Sequence, residues 1–189
     1  MTVSAEYRAR NRTAVLRAAA RLFRRHGYDG VNVDRIMAEA GLTRGTFYTY
    51  FKSKKHLFRA AIGFEPDFER RLSERPGKDL NAEAAAIAAD YLNPDHRDRT
   101  WPGCAMASLS QDAARADAGT RSAFADIVRN LIIEFERGLE NPQHPDPRAL
   151  QAVAMAVGGL VLAKASDGTD LADQVSDAAA AGVRQILTG

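Results

Sequence analysis

The sequence predicts an all-α protein with a small basic helix-turn-helix head and a larger helical body. Three observations predict it. Apolar residues recur at three- and four-residue spacing over long Ala-rich stretches, and β-branched residues are scattered instead of alternating. Two short apolar segments, 33–40 and 44–51, flank a single Gly-containing turn. The charge is divided: residues 1–60 hold 13 Lys and Arg against four acids, a net of +9, while 61–189 hold 13 against 20, a net of −7. A basic end suits a polyanion, and an acidic end is kept off it.

The first helix is expected from about Ala9 to His26. Val15, Leu16, Ala19, Leu22 and Phe23 form one apolar stripe, and five arginines lie mostly off it. Gly27 stops it, and Tyr28-Asp29-Gly30 turns the chain. Asn32 is placed to cap the second helix, which buries Ile36 and Ala40 and ends at Gly41. Thr43 is placed as the N-cap of the third, whose buried stripe is Phe47 and Phe51. Ser53 caps a fourth, carrying Leu57, Phe58, Ala61, Ile62 and Phe68. After Arg75-Pro76-Gly77 the composition changes, and helices are expected over 79–92, 103–117, 119–140, 147–165 and 170–187. Asp146-Pro147 is a helix start, with Asp as cap and Pro in the first turn. The division is placed at 1–53 for the head and 54–189 for the body.

Several classes are excluded. Hydrophobic residues at 46% and charged residues at 26% are those of a globular chain. No run approaches the ~18 apolar residues of a membrane helix, and the polar, basic N-terminus is not a signal peptide. Cys104 stands alone, so neither an internal disulfide framework nor a Cys-rich zinc site is expected, and the compartment is the cytoplasm. His26, His56, His96 and His144 are scattered without metal-ligand spacing. No Ser/His/Asp signature or Gly-rich phosphate loop is present, so no enzyme, metal or cofactor is expected.

The helix-turn-helix suits double-stranded DNA. Arg44 sits at the start of the second helix, where base edges of the major groove are met. Tyr48 and Thr49 lie off the Phe stripe and can touch a thymine methyl or a phosphate. Lys52, Lys54 and Lys55 gather at the next helix start, whose N–H groups already favour a phosphate.

Residues 27–58, GYDGVNVDRIMAEAGLTRGTFYTYFKSKKHLF, resemble the N-terminal domain of the TetR (tetracycline-repressor) family of bacterial transcription regulators. The resemblance is dense over 12–62; beyond it, Gly103-Cys104-Ala105-Met106 and 150–166 are similar to segments of one common branch. It implies a homodimer whose N-terminal helices bind DNA and whose C-terminal helices bind a small apolar or amphipathic effector and form the dimer. Carried over by position, Asn32 and Thr43 cap helices and touch phosphates. Arg44, Gly45 and Thr46 face base edges, Tyr48 and Tyr50 contact phosphate or a thymine methyl, and Lys54 holds the backbone with Lys52 nearby. Many members have Ser or Thr at Asn32, His at Tyr50, and Glu where Lys55 and His56 stand, which here removes a capping-box acid.

In the body, Tyr91, Trp101, Cys104, Met106, Phe124, Ile127 and Leu131 are candidates to wall an effector pocket, although plain core is the commoner role at helical spacing. Leu150, Val153, Val157, Leu160 and Val161, with Leu171, Val175, Gly182 and Ile186, form two small-residue faces suited to a two-fold four-helix bundle. The other possibility is that both helices complete the protomer core. Gly158-Gly159 in mid-helix costs up to about 1 kcal/mol per Gly, which a close helix approach would justify. The expected function is a ligand-released repressor on a palindromic operator. The alternatives are an activator or a helical interaction protein of the same fold.

Overall fold

The computed structural model describes residues 5–64, 92, 103–137, 139 and 141–188, and among them every regular element is helical. The head begins with α1 (Ala5–His26), which buries Val15, Leu16, Leu22 and Phe23 as the stripe requires. Gly27 follows at φ +71°, a conformation only glycine adopts without strain, and its N–H closes onto Phe23 O at 2.7 Å.

Helix α2 (Val33–Glu39) starts where Asn32 Oδ1 accepts from Arg35 N at 2.8 Å. It ends through paired bonds: Gly41 N donates to Ala38 O (3.0 Å) and Leu42 N to Met37 O (2.9 Å), with Gly41 at φ +70°. This satisfies two carbonyls the helix end would orphan, and turns the chain toward the third helix.

That third helix departs from expectation. It opens as a 3₁₀ turn, Arg44–Thr46, and only then becomes α3 (Phe47–Tyr50). Thr43 precedes it, but its side chain makes no capping bond. The tighter turn uses the Thr43 carbonyl instead, which accepts from Thr46 N (3.1 Å) and Thr46 Oγ1 (2.8 Å). Helix α4 (Lys54–Ala61) is capped as expected, with Ser53 Oγ accepting from His56 N at 3.0 Å.

Phe23, Phe47, Phe51, Ile36, Met37, Leu57 and Ile62 are the large, fully buried side chains of the head. Phe23 meets Phe58 edge-on at 5.0 Å between centroids, and Tyr28 tilts over Phe58 at 4.9 Å.

Four helices follow: α5 (Ala105–Arg115), α6 (Ala118–Glu136), α7 (Pro147–Ala165) and α8 (Asp170–Thr188). Helices α5 and α6 are shorter than expected, and Leu139 N closes a turn on Glu136 O where a helix to 140 was read. Asp146 caps α7 through Arg148 N, with Pro147 in the first turn. The helix expected over 79–92, and Phe68, lie outside the described residues apart from Leu92.

The chain separates into two compact units, which interleave along the sequence. One holds the described residues up to 64 with 108–124; the other holds 92, 103–107 and those from 125 onward. In the second unit α7 packs on α8 along an Ala/Gly stripe. A Cβ built on Gly159 would lie 2.5 Å from Ala179 Cβ, so the helices approach where only glycine fits. By length and composition α7 is apolar enough to cross a membrane, contrary to expectation. Arg148 and Lys164 nevertheless fall inside it, and Ala152, Ala156, Leu160 and Ala163 bury one of its faces against protein.

Candidate nucleic-acid interface

Phe47 and Phe51, each 1% exposed, fix which side of the third helix faces out. The opposite side is then presented to solvent. Tyr48 is 75% exposed, its ring edge resting on Phe47 at 5.2 Å. Thr43, Arg44, Gly45, Thr49 and Lys52 are exposed beside it, and Thr46 is half-buried. A Cβ on Gly45 would meet nothing within 4 Å, so close backbone approach is open there.

Tyr50 is held differently. It is half-buried, and its hydroxyl accepts from Asn11 Nδ2 of α1 at 3.1 Å, leaving the O–H to donate outward. Asn32 is exposed, but its side-chain oxygen is engaged in capping α2.

The cations at the start of α4 have partners that the sequence did not suggest. Lys54 Nζ stands 4.0 Å from the centroid of the Tyr28 ring, a cation–π contact. Burial there pulls its pKa below the ordinary value, against the raising influence of Asp29 and Asp112. The Tyr28 backbone N–H in turn donates to Asp112 Oδ2 at 3.3 Å. Lys55 Nζ pairs with Asp117 Oδ2 at 2.9 Å. Asp117 Oδ1 meanwhile accepts from Thr120 N at 2.7 Å at the start of α6. The Lys55 and Thr120 hydrogen bonds hold the Asp117 carboxyl well below the usual carboxylate range. One carboxylate therefore caps a helix and grips a lysine at once. These pairings join residues 62 to 84 positions apart, which is why no local pattern signalled them.

Arg44 is 72% exposed, and its Nη1 donates to Asp34 Oδ2 of α2 at 2.7 Å. Arg21 pairs with Glu39, and Arg35 Nη2 meets His26 Nε2 at 2.9 Å. Burial, then the charges of Arg35 and Arg25, lower the His26 pKa, so the ring is held neutral and accepts.

The head is similar to known regulatory proteins. Residues 15–61 match the bacterial regulatory proteins of the tetR family. Over those residues the head is similar to that family. The HTH-type transcriptional regulator YerO of Bacillus subtilis (strain 168) is 30% identical over 93 residues, which is 44% of this chain and 32% of YerO. The match thus spans about a third of that relative's length. Among solved structures, the reduced form of NemR from E. coli aligns at TM-score 0.75 and 22% identity, covering 89% of this chain and 94% of that one. SCO4454, a TetR-family transcriptional regulator from Streptomyces coelicolor, aligns at 0.67 and 22%, covering 95% of each. At that identity these two show the fold, which is the TetR fold.

The residues read as pocket and interface are placed as follows. Tyr91 and Trp101 lie outside the described residues. Met106 and Leu131 are buried, and Cys104, Phe124 and Ile127 are half-buried; Phe124 belongs to the first unit and the others to the second. Burial lowers the pKa of Lys164 on α7, while Cys104 acts on it electrostatically in the raising sense. On α7, Val153 and Leu160 are buried inside the protomer, Val157 is half-buried, and Leu150 and Val161 are exposed. On α8, Leu171 is 55% exposed, and Val175, Gly182 and Ile186 are half-buried. Leu162, at 60%, joins the exposed apolar set unforeseen.

Proposed function

We propose that the protein is a DNA-binding transcriptional regulator, a homodimeric repressor released from a palindromic operator by a small apolar or amphipathic effector. One observation carries the reading most directly. The third helix buries only its phenylalanines and offers Arg44, Gly45, Tyr48 and Thr49 to solvent, within residues 1–60 of net charge +9. That is a surface with a fork for guanine, an amphipathic ring for phosphate or a thymine methyl, and open backbone for close approach.

Leu150, Val157, Val161, Leu171, Val175 and Ile186 supply the dimer face. Exposed or half-buried apolar residues on two adjacent helices support it, since a second copy would cover them. A two-fold pair sets recognition helices about 34 Å apart for successive major grooves. The effector binds in the body, where Cys104, Met106, Ile127 and Leu131 are the candidates within one unit, and favours a conformation with wrongly spaced heads. Helix α4, which starts at Lys54, is the lever in this reading. Such a protein works in the cytoplasm, on chromosomal DNA.

The test is binding to the duplex flanking the protein's own gene at two salt concentrations, with an Arg44→Ala/Tyr48→Ala double variant alongside. Saturable binding that weakens steeply with salt and is lost in the variant is expected. Equal binding by both proteins would overturn the assignment of the reading surface.

A further inference from the structure

The exposed Arg44–Asp34 pair poses a question of charge. Asp34, 51% exposed, places a carboxylate within the face offered to a polyanion, in residues 1–60, where cations outnumber acids by nine. A solvent-facing pair of this kind contributes little stability. An acid there also repels every phosphate near it, so affinity alone does not explain it. The geometry of the contact does. Asp34 Oδ2 takes one donor, Nη1, of the guanidinium. The Nε/Nη2 edge remains a fork of the width that takes guanine O6 and N7 together. The pair also ties α2 to the first residue of the reading segment, so the guanidinium is held relative to the scaffold instead of sweeping an arc.

We propose that Asp34 is a specificity-determining residue: it positions Arg44 to read a base edge and penalises the phosphate contact that a loose Arg44 would make on any sequence. The proposal rests on the DNA-binding reading above. Asp34 trades general affinity for discrimination, the arrangement by which specificity is built through a repulsive as well as an attractive element.

The experiment uses the full-length protein and two probes: a duplex enriched by the wild type from a random-sequence library, and a scrambled duplex of equal length. Asp34→Asn keeps the side-chain shape and removes the charge. It is expected to bind the scrambled duplex about two- to threefold more tightly and to lose about tenfold in the ratio of selected to scrambled affinity, the lower part of what one well-made base contact contributes. Arg44→Lys keeps the charge without the fork, and is expected to lose the same ratio while holding the scrambled duplex. In an Arg44→Ala background, Asp34→Asn should no longer change the ratio. A ratio unchanged in Asp34→Asn would overturn the proposal. So would an equal fall in the Arg44→Ala background, because a merely structural Asp34 would act without Arg44. Failure of the wild type to enrich any duplex would instead overturn the DNA-binding reading itself, and this proposal with it.

Discussion

Gly158 and Gly159 are adjacent in α7 yet meet opposite surroundings, so the same substitution should have opposite effects. A Cβ at Gly159 would sit 2.5 Å from Ala179 Cβ and 3.4 Å from Leu92 Cδ2. Carbon atoms pack comfortably at about 3.5–4.0 Å, so α7 and α8 would have to part by about 1 Å. Alanine cannot swing aside as a long side chain would. Overpacking of this kind costs about 1–3 kcal/mol, against the roughly 1 kcal/mol that Ala gains over Gly in a helix. Gly159→Ala should therefore destabilise by up to about 2 kcal/mol net of the propensity gain. A Cβ at Gly158 meets nothing within 4 Å, so Gly158→Ala should stabilise by about 0.5–1 kcal/mol. Gly182 is intermediate: its Cβ would press on Met155 Sδ, the end of a flexible, partly exposed side chain that can move. Little change is expected there. For a chain of this size the two neighbouring glycines should differ by up to about 10 °C in Tm, with Gly158→Ala above wild type and Gly159→Ala below it. Thermal unfolding at two protein concentrations reads this, because a bound second copy adds stability that depends on concentration. If Gly158→Ala and Gly159→Ala shift Tm alike, the close approach at Ala179 is not what requires glycine.

Other expectations follow from the same packing and charges. Phe51→Ala should cost the head about 3–5 kcal/mol, since the ring is buried between Phe47 and the edge of His56; loss of cooperative unfolding at lower denaturant checks it, and a surface-like change of under 1 kcal/mol would contradict the core assignment. Asp117→Asn should free Lys55 for the backbone of DNA, steepening the dependence of log affinity on log salt by about one; titrations at several salt concentrations read the slope, and an unchanged slope would deny Lys55 a phosphate. Acid should weaken the α6–α7 corner. There burial raises the Glu136 pKa, but hydrogen bonds from Asp146 N (2.8 Å) and His144 Nδ1 (2.8 Å) outweigh it and leave it lowered. Arg148 and the backbone likewise hold Asp146 low. Carboxyls with depressed folded pKa values stabilise above their unfolded values, about pH 4, and lose that stabilisation as pH falls through the folded ones. Thermal unfolding between pH 6 and pH 3 should show a steeper acid loss in wild type than in a Glu136→Gln/Asp146→Asn variant; parallel curves would sink the assignment.

Much of the head was legible because its signals are short-range. A cap needs an acceptor two or three residues from an N–H: Asn32 and Ser53 supply one in the head, as Asp146 does for α7. A buried stripe needs only helical spacing, and Phe47 and Phe51 satisfy it. Thr43 misled because a 3₁₀ start uses its carbonyl where an α-helical start would have used its hydroxyl, and the two openings share one sequence signature. The charge division, the fold class and the outward side of the reading helix were thus determined by the sequence alone. The tertiary structure decided which partner each polar group takes: Asp34 for Arg44, the Tyr28 ring for Lys54, Asp117 for Lys55 and Asn11 for Tyr50. It also decided which of two adjacent glycines is needed. The reason is physical: spacing along a helix sets which face a residue occupies, but only the packing of one helix on another sets what that face meets.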